Sequence, residues 1–304
     1  MKNKHGLSRN VPPDVKYKIR KTDYFGCIHC GLAVGVYEHI DPEFHEAIEH
    51  DPSKMAFLCD NQNQKKERGF LSKETIWKWK ANPWGKTAGH CHDSLDIGTS
   101  NFSIWLCGDK VEGIENVISI GENVLLAIRP PEENGAPIRL SAVFHDTNDK
   151  KILEIIDNEW TAASDAFDIV CTSGKIGIRQ GGKFVLKIYC FPPNQIVIDT
   201  IDMLYKGFRF IGNSNSLEIT KPNGDKVTMG GRLFKFTAPN SSLLHFHEDS
   251  SGTVIGPNMS MSLLTEKRPH KSITSVKFPQ KSECPCGKGK KYKHCCYPKY
   301  DYTI

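Results

Sequence analysis

Residues 27–42 read Cys27-Ile28-His29-Cys30-Gly31-Leu32-Ala33-Val34-Gly35-Val36-Tyr37-Glu38-His39-Ile40-Asp41-Pro42, and a third cysteine follows at Leu58-Cys59. Two thiols on a tight Cys-x-x-Cys knuckle, a third on a later turn, and a histidine beside a carboxylate can fix a metal and hold a general base close to it. Gln62 and Asn63 stand where a second cysteine pair would complete the frame. Around this stretch the pattern implies short elements. Gly35-Val36-Tyr37 reads as a strand, Asp41-Pro42 as a turn leading into a helix over Glu43–Ile48, and Met55–Leu58 as a buried strand. Ser72 reads as the cap of a helix reaching Lys80.

Working outward, residues 1–21 read as a basic arm broken by Pro12-Pro13. Residues 84–100 read as a polar connection that carries His90-Cys91-His92, either a surface triplet of no consequence or the source of a fourth metal ligand. From 101 to 264 the pattern changes to β-type runs such as Val124–Ile128, Ile138–Phe144, Phe184–Tyr189 and Gln195–Ile198, separated by Gly, Asn and Pro turns. Gly181-Gly182 and Asn223-Gly224 are the expected hairpin turns. The spacing suggests an antiparallel sandwich or stacked sheets. No phosphate loop, Gly-x-Ser-x-Gly elbow or dinucleotide fingerprint occurs in it. Its expected role is scaffold, oligomerisation surface or target recognition. Cys107, Cys171 and Cys190 are expected in its core, and Asp157-Asn158-Glu159-Trp160 reads as a turn with an anchoring tryptophan.

The 304 residues carry a net charge of +5 that is unevenly spread. Residues 1–21 hold +6 and residues 265–304 hold +7, which leaves about −8 for the middle. Basic ends suit a polyanion such as DNA, because lysine and arginine on phosphates release counterions; they equally suit solvated tails. No stretch approaches a membrane span, and Met1-Lys2-Asn3-Lys4-His5 lacks the apolar run of a secretory signal. The eleven cysteines are therefore expected in a reducing cytoplasm, where clustering argues for zinc rather than disulfides.

After a linker over 265–283, Cys284-Pro285-Cys286-Gly287-Lys288-Gly289-Lys290-Lys291-Tyr292-Lys293-His294-Cys295-Cys296 offers four thiols in thirteen residues. So short a segment gains order by closing around one zinc. It resembles the SEC-C motif, the zinc-binding tail of the bacterial preprotein translocase ATPase, over residues 284–297. That resemblance implies zinc on Cys284, Cys286, Cys295 and Cys296 and a knob that docks onto a protein partner.

Residues 20–83 resemble the HNH endonuclease family through Arg20-Lys21, Cys27-x-x-Cys30-Gly31, Glu38-His39-Ile40-x-Pro42, Leu58-Cys59 and Lys66-x-Arg68-Gly69. The resemblance implies a ββα-metal finger over 22–83, which together with the β-type runs and the cysteine-rich tail makes an α+β multi-domain chain: finger, mainly antiparallel β domain, and small zinc knuckle at the end. It further implies His39 as general base, Glu38 and Asn63 as ligands of magnesium or manganese, and structural zinc on Cys27, Cys30 and Cys59. Arg20, Lys21, Lys65, Lys66 and Arg68 are the candidate nucleic-acid contacts. The sequence departs from the family at three places: Lys54 replaces its middle asparagine, Gln62 its fourth zinc cysteine and Asn63 its final histidine. Two expectations stay open, a DNA-cutting phosphodiesterase and an inactive finger that binds nucleic acid or protein.

Overall fold

The computed structural model describes residues 1–99, 101–166, 168–172, 174–237, 242–249, 253–254, 259–269, 279–281, 284 and 290–295. Among these the chain is mainly β, and no helix is long and apolar enough to cross a membrane.

The N-terminal part is built from α1 (Pro13–Thr22), the antiparallel pair β1 (Val36–His39) and β2 (Met55–Leu58), α2 (Asp60–Glu67) and α3 (Lys73–Ala81). Pro13 opens α1 at a position where a missing N–H costs nothing. All four residues of β2 are buried, and its register pairs Val36 with Leu58 and His39 with Met55. The strand expected at Gly35–Tyr37 lies one to two residues later, so Glu38 and His39 belong to the strand itself. Ser72 caps α3 as expected, its Oγ accepting from the Thr75 N–H at 3.2 Å. The local core is small: Ile28, Ile40, Ala56, Leu58 and Ile76 close around Cys27 and Cys59.

Two expectations here are corrected. Glu43–Ile48 is not a helix but a run of turns. The carbonyls of Phe44 and Ala47 are taken by the Asn3 side chain at 2.6 Å each, so they do not feed a helical ladder. Residues 1–21 are not a loose arm either. Lys2 and Ser8 form a bridge, and from Pro13 onward the segment is the packed helix α1.

The remainder is two sheets around one hydrophobic core. The smaller sheet contains α4-linked β3 (His90–Ser94), where α4 is Trp84–Ala88, then β6 (Asn116–Ile120), β7 (Asn123–Arg129), β8 (Arg139–His145), β9 (Lys151–Ile156) and β10 (Glu159–Ala163). Beyond β6 it continues into β19 (Ser242–Phe246) and β20 (Thr253–Val254), while β3 forms the opposite edge beside β10. The larger sheet runs β11 (Asp168–Thr172), β12 (Lys175–Gln180), β13 (Lys183–Phe191) and β14 (Gln195–Tyr205). It goes on through β4 (Ser103–Leu106), β5 (Asp109–Glu112), β18 (Arg232–Phe236) and β21 (Met259–Leu263). A branch from β14 carries β15 (Phe208–Gly212), β16 (Leu217–Thr220) and β17 (Lys226–Met229).

Most pairings are antiparallel; β14–β4, β18–β5 and β19–β6 are parallel. Gly181 and Gly182 join β12 to β13 with φ of 57° and 89°, a turn that glycine enters without steric cost. Trp160 is buried beyond the Asp157-Asn158 turn, and Cys107 and Cys190 lie in the core as expected. The stretch 84–100 is not merely a connection, because α4 and β3 lie within it.

Both sheets end against the N-terminal part. At β3, Leu32 bridges to His92, with Ala33 N–H donating to His92 O at 2.9 Å and His92 N–H to Gly31 O at 3.1 Å. At β11, Asp168 receives the buried Arg20 guanidinium of α1 through both oxygens at 2.9 and 3.1 Å, and Arg179 at 2.8 Å. Arg20 also donates to the Tyr37 hydroxyl at 2.8 Å.

Candidate functional site

A cleft of about 400 Å³ opens between the N-terminal part and β11, with Glu38, His39 and Asn63 in its walls. Strand β1 supplies the first two and helix α2 the third, brought together because β2 pairs with β1 and runs directly into α2. Arg9 and Lys16 bring positive charge to the rim, and Val170 and Thr172 of β11 form the opposite wall.

His39 is 4% exposed, and its Nε2 is buried without a hydrogen-bond partner. Burial, followed by the nearby His50 ring, holds the imidazole pKa below its ordinary value, and Glu38 opposes them only in part. The backbone carbonyl of Glu49 also favours the protonated ring electrostatically, against the effect of burial. The result favours a neutral imidazole. Asn63 matches it with a second orphan, since its Oδ1 is buried and unpartnered while its Nδ2 donates to Glu67 at 3.3 Å. An unpaired amide oxygen suits a hard cation or a donor on a substrate. Glu38 is committed differently: its Oε1 accepts from Lys66 Nζ at 2.8 Å, in a pair that is largely buried. Lys66 is therefore not a solvent-facing nucleic-acid contact, and a divalent ion on Glu38 would compete with it.

The loop behind His39 is fastened by the first ten residues. Asn3 donates to Phe44 O and Ala47 O and accepts from the His5 and Leu7 amides at 3.0 and 2.9 Å. His50 contacts Ser8 O at 2.8 Å, and Arg9 lies over the Phe44 ring at 5.5 Å. The Ile40 N–H donates to the Lys54 carbonyl at 2.9 Å, so Lys54 serves the loop with its backbone while its side chain stays exposed.

Below the cleft, the sulfurs of Cys27, Cys30 and Cys59 lie within 4.8 Å of one another and can hold a metal ion such as zinc. The Cys30 thiol donates to Cys59 Sγ at 3.8 Å, and Cys27 is held below the ordinary thiol value by the neighbouring Cys30 and by the backbone amides of Cys59, His29 and Cys30, against the opposing effect of burial. Amides aimed at sulfur stabilise its negative form, which is the metal-binding form. Gly31 makes the knuckle possible: its φ is +80° and the Trp84 ring lies where a β-carbon would be, at 2.1 Å.

Among the described residues no fourth cysteine, histidine or carboxylate joins the three sulfurs. His90-Cys91-His92 does fold back onto the knuckle, but it brings no ligand. His92 Nε2 contacts the Cys30 carbonyl at 2.9 Å, Cys91 is buried in the core between the sheets, and His90 contacts Ala88 O. Trp79 packs against His29 with ring centroids 4.1 Å apart, so it supports the knuckle.

Of the remaining candidates, Arg20 is corrected outright. It is 3% exposed and bonded to Asp168, which removes it from any contact with nucleic acid. Lys21 donates to Ala166 O at 2.8 Å, whereas Lys65 and Arg68 are exposed at the end of α2. In the tail, Cys284 is buried and its amide donates to Lys290 O at 2.7 Å; Cys295 follows a short turn holding the buried Tyr292. Cys284 and Cys295 can contribute to a metal site, and Cys286 and Cys296 lie outside the described residues. Arg9, Lys16 and Asn3 were hidden inside a basic arm whose charge alone was legible. No family model, curated protein or solved structure matches this chain.

Proposed function

We propose that the protein is an HNH-type, metal-dependent endonuclease that hydrolyses DNA phosphodiester bonds, built on a ββα-metal finger. The observation that carries this reading is the unpartnered, buried Nε2 of a neutral His39 in a cleft shared with Asn63 and Glu38 and rimmed by Arg9 and Lys16. A phosphate entering between the cations would place a water against His39. Nε2 takes the proton of that water as its oxygen attacks phosphorus, and the bond to the leaving sugar oxygen breaks. Magnesium or manganese on Asn63 and Glu38 would supply neutralisation of the charge on the phosphorane and the leaving oxygen. Arg9 and Lys16 orient the phosphate by charge. Zinc on Cys27, Cys30 and Cys59 would hold the knuckle under β1, a role in keeping with their convergent sulfurs. In the same reading the SEC-C tail takes a second zinc and docks onto a protein partner, and the chain works in the cytoplasm.

The Lys66–Glu38 pair favours a second reading. A carboxylate neutralised by lysine is a weaker ligand, as in a finger that has kept its binding surface and lost its metal-dependent step. Plasmid DNA incubated with magnesium or manganese separates the two. The native chain should nick it, and His39→Ala should lose about 10²-fold or more in rate. Cutting that is equal in both, or absent from both, sinks the nuclease reading.

A further inference from the structure

His39 Nε2 and Asn63 Oδ1, two atoms in the cleft without hydrogen-bond partners, are themselves buried, and His39 as a residue is 4% exposed. A phosphate lying across the mouth therefore stops short of them; it has to enter. What can enter is set by the walls. The cleft holds about 400 Å³, near the small end of pockets that take a single small molecule. Strand β1 forms one side, and Val170 and Thr172 of β11 form the other.

These walls are tied to each other. Arg20 of α1 meets Asp168, two residues before Val170 on β11, in a pair whose side chains are 3% and 2% exposed. Lys21, the next residue of α1, donates to Ala166 O at 2.8 Å. Spreading the cleft means breaking the buried pair and leaving its charges without partners.

A duplex does not fit so narrow and fixed an opening. Each of its phosphates is flanked by a partner strand across a groove about 6 or about 12 Å wide. Carrying one such phosphate onto a buried nitrogen drives the rest of the rod against α1 or β11. An unpaired strand brings one nucleotide at a time. The rim suits it: Arg9 lies over the Phe44 ring at 5.5 Å, and Lys16 lies 5.6 Å from the Tyr37 ring. Cations set beside aromatic rings are the combination that holds the phosphates and unstacked bases of a single strand.

We propose that the cleft admits one unpaired nucleotide, so that the substrate is single-stranded or locally unpaired DNA and intact duplex is excluded. A nucleotide in a duplex has to be drawn out of its stack first, at a free-energy cost that an unpaired one does not carry. The assignment rests on the nuclease reading and narrows its substrate.

The test compares a labelled single-stranded oligonucleotide with the same sequence annealed to its complement, using the full native chain and manganese. The single strand should be cut about 10²-fold faster. Negatively supercoiled plasmid, which unpairs locally, should be nicked, whereas the same plasmid relaxed should resist. Thr172→Trp, at an exposed position of the β11 wall, narrows the cleft and leaves Glu38, His39 and Asn63 in place. It should raise KM for the single strand about tenfold at an unchanged melting temperature. The smaller Thr172→Leu carries the comparison if the tryptophan lowers that temperature. Equal cutting of duplex and single strand, or a KM that neither substitution moves, overturns the assignment and leaves the nuclease reading standing. If none of these DNAs is cut, both fall.

Discussion

The N-terminal part and the β body solve the same problem at different scales. The body shares one core of aliphatic and aromatic side chains between two sheets, whereas the N-terminal part closes on two small clusters, one around Cys27 and Cys59 and one of Val11, Ile19, Met55 and Phe57. Burial at roughly 25 cal/mol per Å² gives the body ample stabilisation. A segment with so little apolar surface needs other fasteners. Among the described residues these include the thiol cluster, the Arg20–Asp168–Arg179 ion group, and Asp23, which is wholly buried between Lys80 Nζ at 2.5 Å and the Phe57 N–H at 2.7 Å. The chemistry-bearing residues lie in the less self-sufficient region, where side chains are held by a few specific bonds rather than by bulk packing.

The largest effect should come from the thiols. If metal ties the N-terminal part together, a strong chelator or Cys59→Ser should melt that part at a distinctly lower temperature while the body keeps its own transition. Structural zinc contributes about 10 kcal/mol in small peptides, so the separation should be plain in calorimetry. A single unchanged transition would mean the two regions fold as one unit without metal.

Next is Asp168→Asn, which leaves Arg20 and Arg179 facing each other without a carboxylate. Stranding buried charge costs about 3–5 kcal/mol, readable in denaturant melts, and the loss should be shared by both regions because the aspartate belongs to one and Arg20 to the other. A loss below about 1 kcal/mol would show that water reaches these groups.

The pH response of His39 is smaller. Its native pKa is lowered, so the unfolded chain binds the proton more tightly. Stability is intact above pH about 6.5 and falls as acid carries the chain down toward the lowered value. On the proposed nuclease reading, cleavage should follow the same sign, flat above about 6.5 and falling tenfold per pH unit below the lowered pKa. A fall that begins above pH 7 would contradict a buried neutral base; the NMR titration of the His39 ring reads the pKa directly. The smallest effect belongs to Ser72→Ala, which removes one cap from α3 and should cost about 1 kcal/mol, confined to the N-terminal part.

Local chemistry was legible in the sequence. The Ser72 cap, the Met55–Leu58 strand, the Gly181-Gly182 hairpin and the gathering of Cys27, Cys30 and Cys59 each follow from residues a few positions apart or from ligand spacing. What escaped depends on distant partners. Arg20 looked like a phosphate contact because its charge was visible and Asp168, far along the chain, was not. The Glu43–Ile48 segment looked helical because nothing local announced that Asn3 would claim its carbonyls. His90–Ser94 looked like a connection because His-Cys-His-Asp-Ser has no strand-like alternation; it is a strand because β10 lies beside it. In the cleft, the types of Glu38, His39 and Asn63 could be read, but the lysine already seated on Glu38 could not.

The two sheets meet the N-terminal part at β3 and β11, and these are edge strands. An uncovered edge offers unpaired backbone groups to any other extended chain, the usual beginning of aggregation. The N-terminal part sheathes the β3 edge, where Leu32 bridges to His92, and ties down the β11 edge through Arg20 on Asp168. Whatever chemistry that segment carries, the backbone groups of the β3 edge depend on its staying folded.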